Sequence, residues 1–168
     1  MDYTIRLIEQ IRHRYIALAT IHSINSSQSM TDVRTLLDTG AFNSMVDIDH
    51  AEDFGILLPM TIPISIGGSL GEAKGCILPK VEFGDFEISR MFALAFPFKD
   101  WLTGHIILGA NVLNNWDFTV SRTKNMIRFN EEIPTDTPNK EYPYQNYFIG
   151  GEYVAIQYDA LDALPTNI

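Results

Sequence analysis

Cysteine is nearly missing from this chain: Cys76 stands alone among 168 residues. No disulfide can form within it, and a disulfide scaffold or a thiolate metal cage is excluded. The single thiol reads as a small buried hydrophobe. Positive charge is the second shortage. Twelve Lys and Arg stand against twenty-one Asp and Glu, for a net charge of −9. A nucleic-acid backbone is gripped by clustered cations, so nucleic acid is not an expected partner. Long apolar runs are missing too. The longest uncharged apolar stretch near the start is Tyr15–Ile21, against the about twenty residues that span a bilayer. The opening MDYTIRLIEQIRHR is interrupted by charges, unlike a secretory leader. The expectation is a soluble, cytoplasmic protein with no membrane partner. His13, His22, His50 and His105 are scattered, at no spacing that suits zinc, and read as ordinary surface or core histidines. Asp47, Asp49, Glu52 and Asp53 lack the ligand alternation and central glycine of a calcium loop. No metal and no cofactor are expected, and there is no internal repeat or low-complexity segment.

What is present suits one globular unit. With 46% hydrophobic and 20% charged residues, the chain can bury one sizeable core. Short apolar runs rich in Ile, Val, Phe and Thr, punctuated by turn residues, read as strands. Strands are expected at Arg14–Ile24 and Asp32–Leu37, joined by the polar loop Asn25–Ser29, and again at Thr61–Ile66, Gly75–Phe83 and Phe86–Phe96. Others are expected at Trp116–Val120 and Met126–Phe129. Asp47–Phe54 carries acids at a helix start and stops before Gly55, which predicts one short helix; Gly109–Asn115 predicts a second. Between the strands at 61–66 and 75–83 lies a glycine-rich hairpin tip, Gly67-Gly68-Ser69-Leu70-Gly71-Glu72-Ala73-Lys74-Gly75. After Asn130 the composition shifts to Glu131, Glu132, Pro134, Pro138 and Pro143. The predicted organisation is a domain over 1–130 and a C-terminal linker over 131–168, with one strand-like run at Tyr153–Tyr158 that could extend a sheet edge.

The informative segment is Thr35-Leu36-Leu37-Asp38-Thr39-Gly40-Ala41, an apolar strand running straight into Asp-Thr-Gly. A strand end that delivers a carboxylate into a glycine turn holds it rigidly, and Gly40 lets a ligand's backbone come close. Such a tripeptide is weak evidence alone. About seventy residues downstream, Ile106-Ile107-Leu108-Gly109-Ala110-Asn111-Val112-Leu113 is a second apolar strand ending in glycine and turning into a helix.

Together LLDTGA and IILGANVL, with the glycine-rich hairpin between them, resemble the paired motifs of retropepsin-like aspartic proteases over roughly residues 15–130. The resemblance implies an all-β acid-protease fold with two short helices, closed by homodimerisation, and an extended peptide or protein as substrate. It implies Asp38 as the catalytic aspartate, with Thr39, Gly40 and Ala41 completing the active-site loop. Ile107, Leu108 and Gly109 would pack beneath that loop. The hairpin tip, Ile66, Gly67, Gly68, Ser69, Leu70 and Gly71, would serve as a flap over the substrate. Two carboxylates about 3 Å apart share one proton, so one can activate water while the other polarises the scissile carbonyl. The chain has a single Asp-Thr-Gly, because Asp136-Thr137 runs into Pro138. The second aspartate must come from another copy.

Two departures stand out. Where retroviral members carry an ion-paired acid and arginine, this chain has Phe42 and Ala110. Losing both partners together leaves no unpaired buried charge, and it points to a cellular or bacterial-type relative. Two rival readings compete with this one. A dimeric peptide-binding module would keep the fold and no longer cut. A serine hydrolase would use Gly67-Gly68-Ser69-Leu70-Gly71 as a nucleophile elbow with Asp85 or Asp100 and His105. The elbow needs a helix after Ser69, whereas EAKGCILPKVEF reads as a strand.

Overall fold

A computed structural model describes residues 3–11, 14–24, 27–66, 69–97, 105–132, 146–149 and 152–155. The first element is a strand, β1 (Tyr3–Ile11), where the sequence suggested only a charge-broken opening. Ile5 and Leu7 are buried while Arg6 and Ile8 face outward, the period-two pattern of a half-buried strand. β2 (Arg14–His22) and β3 (Ser29–Leu37) form the expected antiparallel pair. The short β4 (Met45–Asp47) leads into α1 (Ile48–Phe54). Asp47 caps that helix by accepting the Asp49 N–H at 3.1 Å, and Gly55 ends it by donating to the Ala51 carbonyl at 2.9 Å. Then follow β5 (Ile56–Ile66), β6 (Ser69–Phe83), β7 (Phe86–Phe96), β8 (Ile106–Leu108), α2 (Ala110–Leu113), β9 (Trp116–Ser121) and β10 (Met126–Glu132).

One ten-stranded sheet runs β5-β6-β7-β4-β8-β3-β2-β1-β10-β9, and β2 pairs again with β6. That extra pairing closes β6, β7, β4, β8, β3 and β2 into a barrel, from which β5 and the β1-β10-β9 layer extend. Most pairings are antiparallel. Two are parallel, β3 with β8 and β4 with β7. β8 thus lies between β3 and β4, and the chain leaving β3 must loop around the end of β8 to re-enter the sheet. From Met91 to Ala95, β7 is buried on both faces: Met91, Ala93 and Ala95 join one apolar cluster, Phe92 and Leu94 the other. This is why FALA reads as a continuous apolar run and not as an alternation. The architecture is all-β apart from two short helices.

The hairpin departs from its predicted bounds. Residues 69–74, expected in the turn, are strand: Ile66 pairs with Ser69, Ile64 with Gly71 and Pro63 with Glu72. Gly67 and Gly68 lie outside the described residues. The glycines of this segment answer to close packing instead of chain reversal. A Cβ on Gly71 would meet the Phe96 ring at 3.0 Å, and one on Gly75 would meet Met60 Cγ at 2.8 Å. In the C-terminal segment, β11 (Asn146–Ile149) and β12 (Glu152–Ala155) pair with each other as a separate two-stranded sheet. Tyr153–Ala155 therefore finds a local partner and not an edge of the main sheet; Ile156–Tyr158 lies outside the described residues. Among the described residues no helix is long and apolar enough to cross a membrane.

Candidate active site

The loop after β3 is built around one carboxylate. β3 becomes progressively buried along its length, with Thr35, Leu36 and Leu37 inside, so Asp38 emerges from an anchored strand. Its N–H donates to the Leu108 carbonyl at 3.0 Å, continuing the β3–β8 ladder by one bond. Its own carbonyl accepts the Ala41 N–H at 3.3 Å, and its Oδ1 accepts the Gly40 N–H at 2.9 Å. The carboxylate is therefore held at the head of a tight turn and half-exposed, with Thr39 and Gly40 exposed beside it. A Cβ on Gly40 would lie 3.2 Å from Asp38 Oδ1, so any side chain there crowds the carboxylate.

Ile107 and Leu108 are buried beneath this loop, and Gly109 is the point the loop wraps around. A Cβ at Gly109 would stand 2.7 Å from the Asn43 carbonyl carbon and oxygen and 2.8 Å from the Ala41 oxygen. These are backbone atoms that cannot move aside. Just beyond, the Ala110 N–H donates to the Ala41 carbonyl at 2.7 Å and the Asn111 N–H to the Phe42 carbonyl at 3.1 Å. The structure thus brings Asp38, Thr39, Gly40 and Ala41 together with Ile107, Leu108 and Gly109. The hairpin residues Ile66 and Ser69–Gly71 connect to this loop through the sheet path β6-β7-β4-β8, and Leu70 is 89% exposed.

A buried polar network locks the loop. Ser44 Oγ accepts the Gly109 N–H at 3.0 Å and donates to Asn111 Oδ1 at 2.7 Å, and that oxygen also takes the Ser44 N–H at 2.7 Å. Asn111 Nδ2 donates to the Phe92 carbonyl at 3.1 Å, so one α2 amide ties the loop to β7. Asn115 Nδ2 returns to the Asn111 carbonyl at 2.7 Å. Ser44, Asn111 and Asn115 are all buried, where every polar group needs a partner. A signal was present: Asn111 is a polar residue at the centre of the apolar run IILGANVL.

The described cavity beside the carboxylate is small. A cavity of about 70 Å³ borders Asp38 and Thr39, walled by Tyr15, Leu113, Phe118 and Val120. Ligand pockets are typically about 300–1,000 Å³. Among the described residues no second carboxylate bonds to Asp38, and no cluster of three or more His, Cys, Asp or Glu could hold a metal. Ser69 opens the fifteen-residue β6 and not a helix, and Asp85 sits in the turn before β7.

Comparison with known proteins bears on this loop. A family model described as aspartyl protease matches residues 22–112, which is more than half of the chain and includes both glycine motifs and the hairpin between them. A solved retropepsin-like aspartic protease from Rickettsia conorii aligns over 77% of this chain and 88% of its own, with 14% identity and a TM-score of 0.47. Comparison with curated proteins finds no match.

Proposed function

The chain belongs to the aspartyl protease family, and from that premise we propose that it is an endopeptidase whose active site forms between two copies. Asp38 of each subunit contributes one carboxylate, the pair shares one proton, and a water between them attacks the peptide carbonyl. Thr39 braces the two loops against each other through its hydroxyl, and Gly40 borders the substrate backbone. The Ile66–Gly71 end of the hairpin closes over an extended peptide and excludes water. The domain spans residues 1–130, with 131–168 an appendage.

The observation that carries this reading is the mount of Asp38. Its carboxylate is fixed by the Gly40 N–H and its main chain by Leu108. Rigid placement of a reacting group is what acid–base catalysis requires. The small cavity and the single Asp-Thr-Gly support a site completed by a second copy.

Profiling a mixed peptide library with wild type and Asp38→Asn tests the proposal. Wild type should cut with a bell-shaped, acidic pH profile, and the variant should bind peptide and not turn over. Equal turnover by both proteins sinks the aspartic mechanism. Peptide binding without cleavage by wild type selects the silent binding module.

A further inference from the structure

The fold brings together two histidines that stand 55 positions apart in the sequence. His50 lies within α1, and His105 immediately precedes β8. Their ring centroids are 4.7 Å apart with 33° between planes, and His50 Nε2 is 2.9 Å from His105 Nδ1. Both residues are partly buried. Such a bond lasts only while one ring is neutral, because the accepting lone pair is also the protonation site. A second proton removes the acceptor and leaves two like charges at hydrogen-bond distance.

His105 also occupies a structural junction. Its N–H donates to the Arg34 carbonyl on β3 at 2.8 Å, and its carbonyl accepts the Asp47 N–H at the end of β4 at 2.9 Å. The next residue, Ile106, pairs with both Thr35 and Val46. At the far end of this three-residue strand, Leu108 holds the Asp38 N–H. His105 pins one end of β8 and the Asp38 loop hangs from the other.

We infer that the His50–His105 pair is an acid-sensitive latch that positions β8 and, through it, the Asp38 loop. The latch is closed while the pair carries at most one proton and released when it takes a second. Burial and the neighbouring His105 hold His50 below its ordinary value, against an upward pull from Asp47, Asp49 and Asp53. Among the described residues, the other elements around α1 add little charge. β5 has no charged residue, nor do Cys76–Leu78 of β6 or Leu94–Phe96 of β7. From β3, Arg34 meets His105 through its carbonyl, and its guanidinium pairs with Glu9 at 2.6 Å. The latch depends on how β8 is held and not on peptide cleavage, so either idea can fail while the other stands.

Amide hydrogen exchange and ring titration by NMR test it, from about pH 7.5 to about pH 4.5, the range in which imidazoles titrate. In wild type, protection of the His105 and Asp38 amides, corrected for intrinsic exchange, should fall about tenfold as the pair takes up its second proton. His50→Gln keeps a polar amide but takes up no proton, and its protection should stay level across that range. Identical pH dependence in both proteins overturns the latch. If the variant does not fold, wild type decides alone: His105 amide protection that stays flat through the second ring step overturns the inference, and a fall in step with it supports it.

Discussion

At the scale of single residues, Gly109 has the least freedom. The backbone of Ala41 and Asn43 fills the space a Cβ would need, so Gly109→Ala must push the Asp38 loop away or strain it, at about 1–3 kcal/mol. Urea unfolding should register that loss, and activity should fall further because the carboxylate moves. Asn111→Leu, close in size but apolar, strips partners from the Ser44 N–H, the Ser44 hydroxyl and the Phe92 carbonyl. At about 1–3 kcal/mol for each buried group left unpaired, it should be among the most damaging substitutions in the chain; a stability loss under 1 kcal/mol, about the net worth of one ordinary hydrogen bond, would show that the network is dispensable. Cys76 behaves oppositely. Burial pushes its thiol up to about 12, despite a backbone hydrogen bond at Ile56 that lowers it. The reactive thiolate is scarce, so thiol reagents should label the protein only when it unfolds. For His50 the sign follows from its lowered folded value. The unfolded chain takes up a proton first as pH falls, so stability from neutral His50 is present above about 6.5 and lost as pH drops through the folded value. The stability gap between wild type and His50→Gln should narrow on acidification, and a widening gap would mean that the acidic neighbours dominate.

At the scale of elements, the β5–β6 hairpin is the part proposed to move. Its strands pair from Thr61 and Lys74 up to Ile66 and Ser69, beyond a register shift after Leu57, so any closing motion belongs to a paired ladder and not to a slack loop of nine glycine-rich residues. Its base is fixed by β6–β7 pairing from Lys74 to Phe83, which leaves 69–73 paired with β5 alone. Exchange protection should therefore rise at residues 69–73 when a statine-type peptide binds, with little change at 76–83. Equal protection with and without saturating peptide would remove the hairpin from the substrate site. The β11–β12 sheet shares no ladder with the barrel, so truncation after Glu132 should leave the unfolding midpoint of the barrel nearly unchanged. A large drop would place the C-terminal hairpin within the folding unit.

At the scale of the whole molecule, the proposal requires two copies. A two-fold axis is the simplest operation that sets identical aspartates face to face. If wild-type and Asp38→Asn chains are mixed equally and exchange freely, about half of the wild-type chains sit in mixed dimers by random pairing. Those sites lack one ionisable carboxylate, so activity per wild-type chain should fall by about half. Full retention after verified exchange would mean that each chain carries a complete site. Activity should also fall faster than concentration on dilution below the dissociation constant.

The sequence by itself determined the elements whose causes are local. Apolar run length and turn residues place Phe86–Phe96 as a strand, and the acids before Gly55 place the first helix, because strand and helix signals act over a few neighbouring residues. The Asp-Thr-Gly turn is equally local, since Gly40 is needed by the atoms of Asp38 two positions away. Tertiary structure alone decided the rest. That β8 inserts between β3 and β4, that Gly109 meets Asn43, and that Ser44 bonds Asn111 are contacts between segments some 65 residues apart. His50 and His105, scattered in the sequence, meet for the same reason. The glycines at 71 and 75 read as turn residues because glycine signals only that space or conformational freedom is needed. Which of the two it is depends on Phe96 and Met60, neighbours that exist only once the sheet has closed.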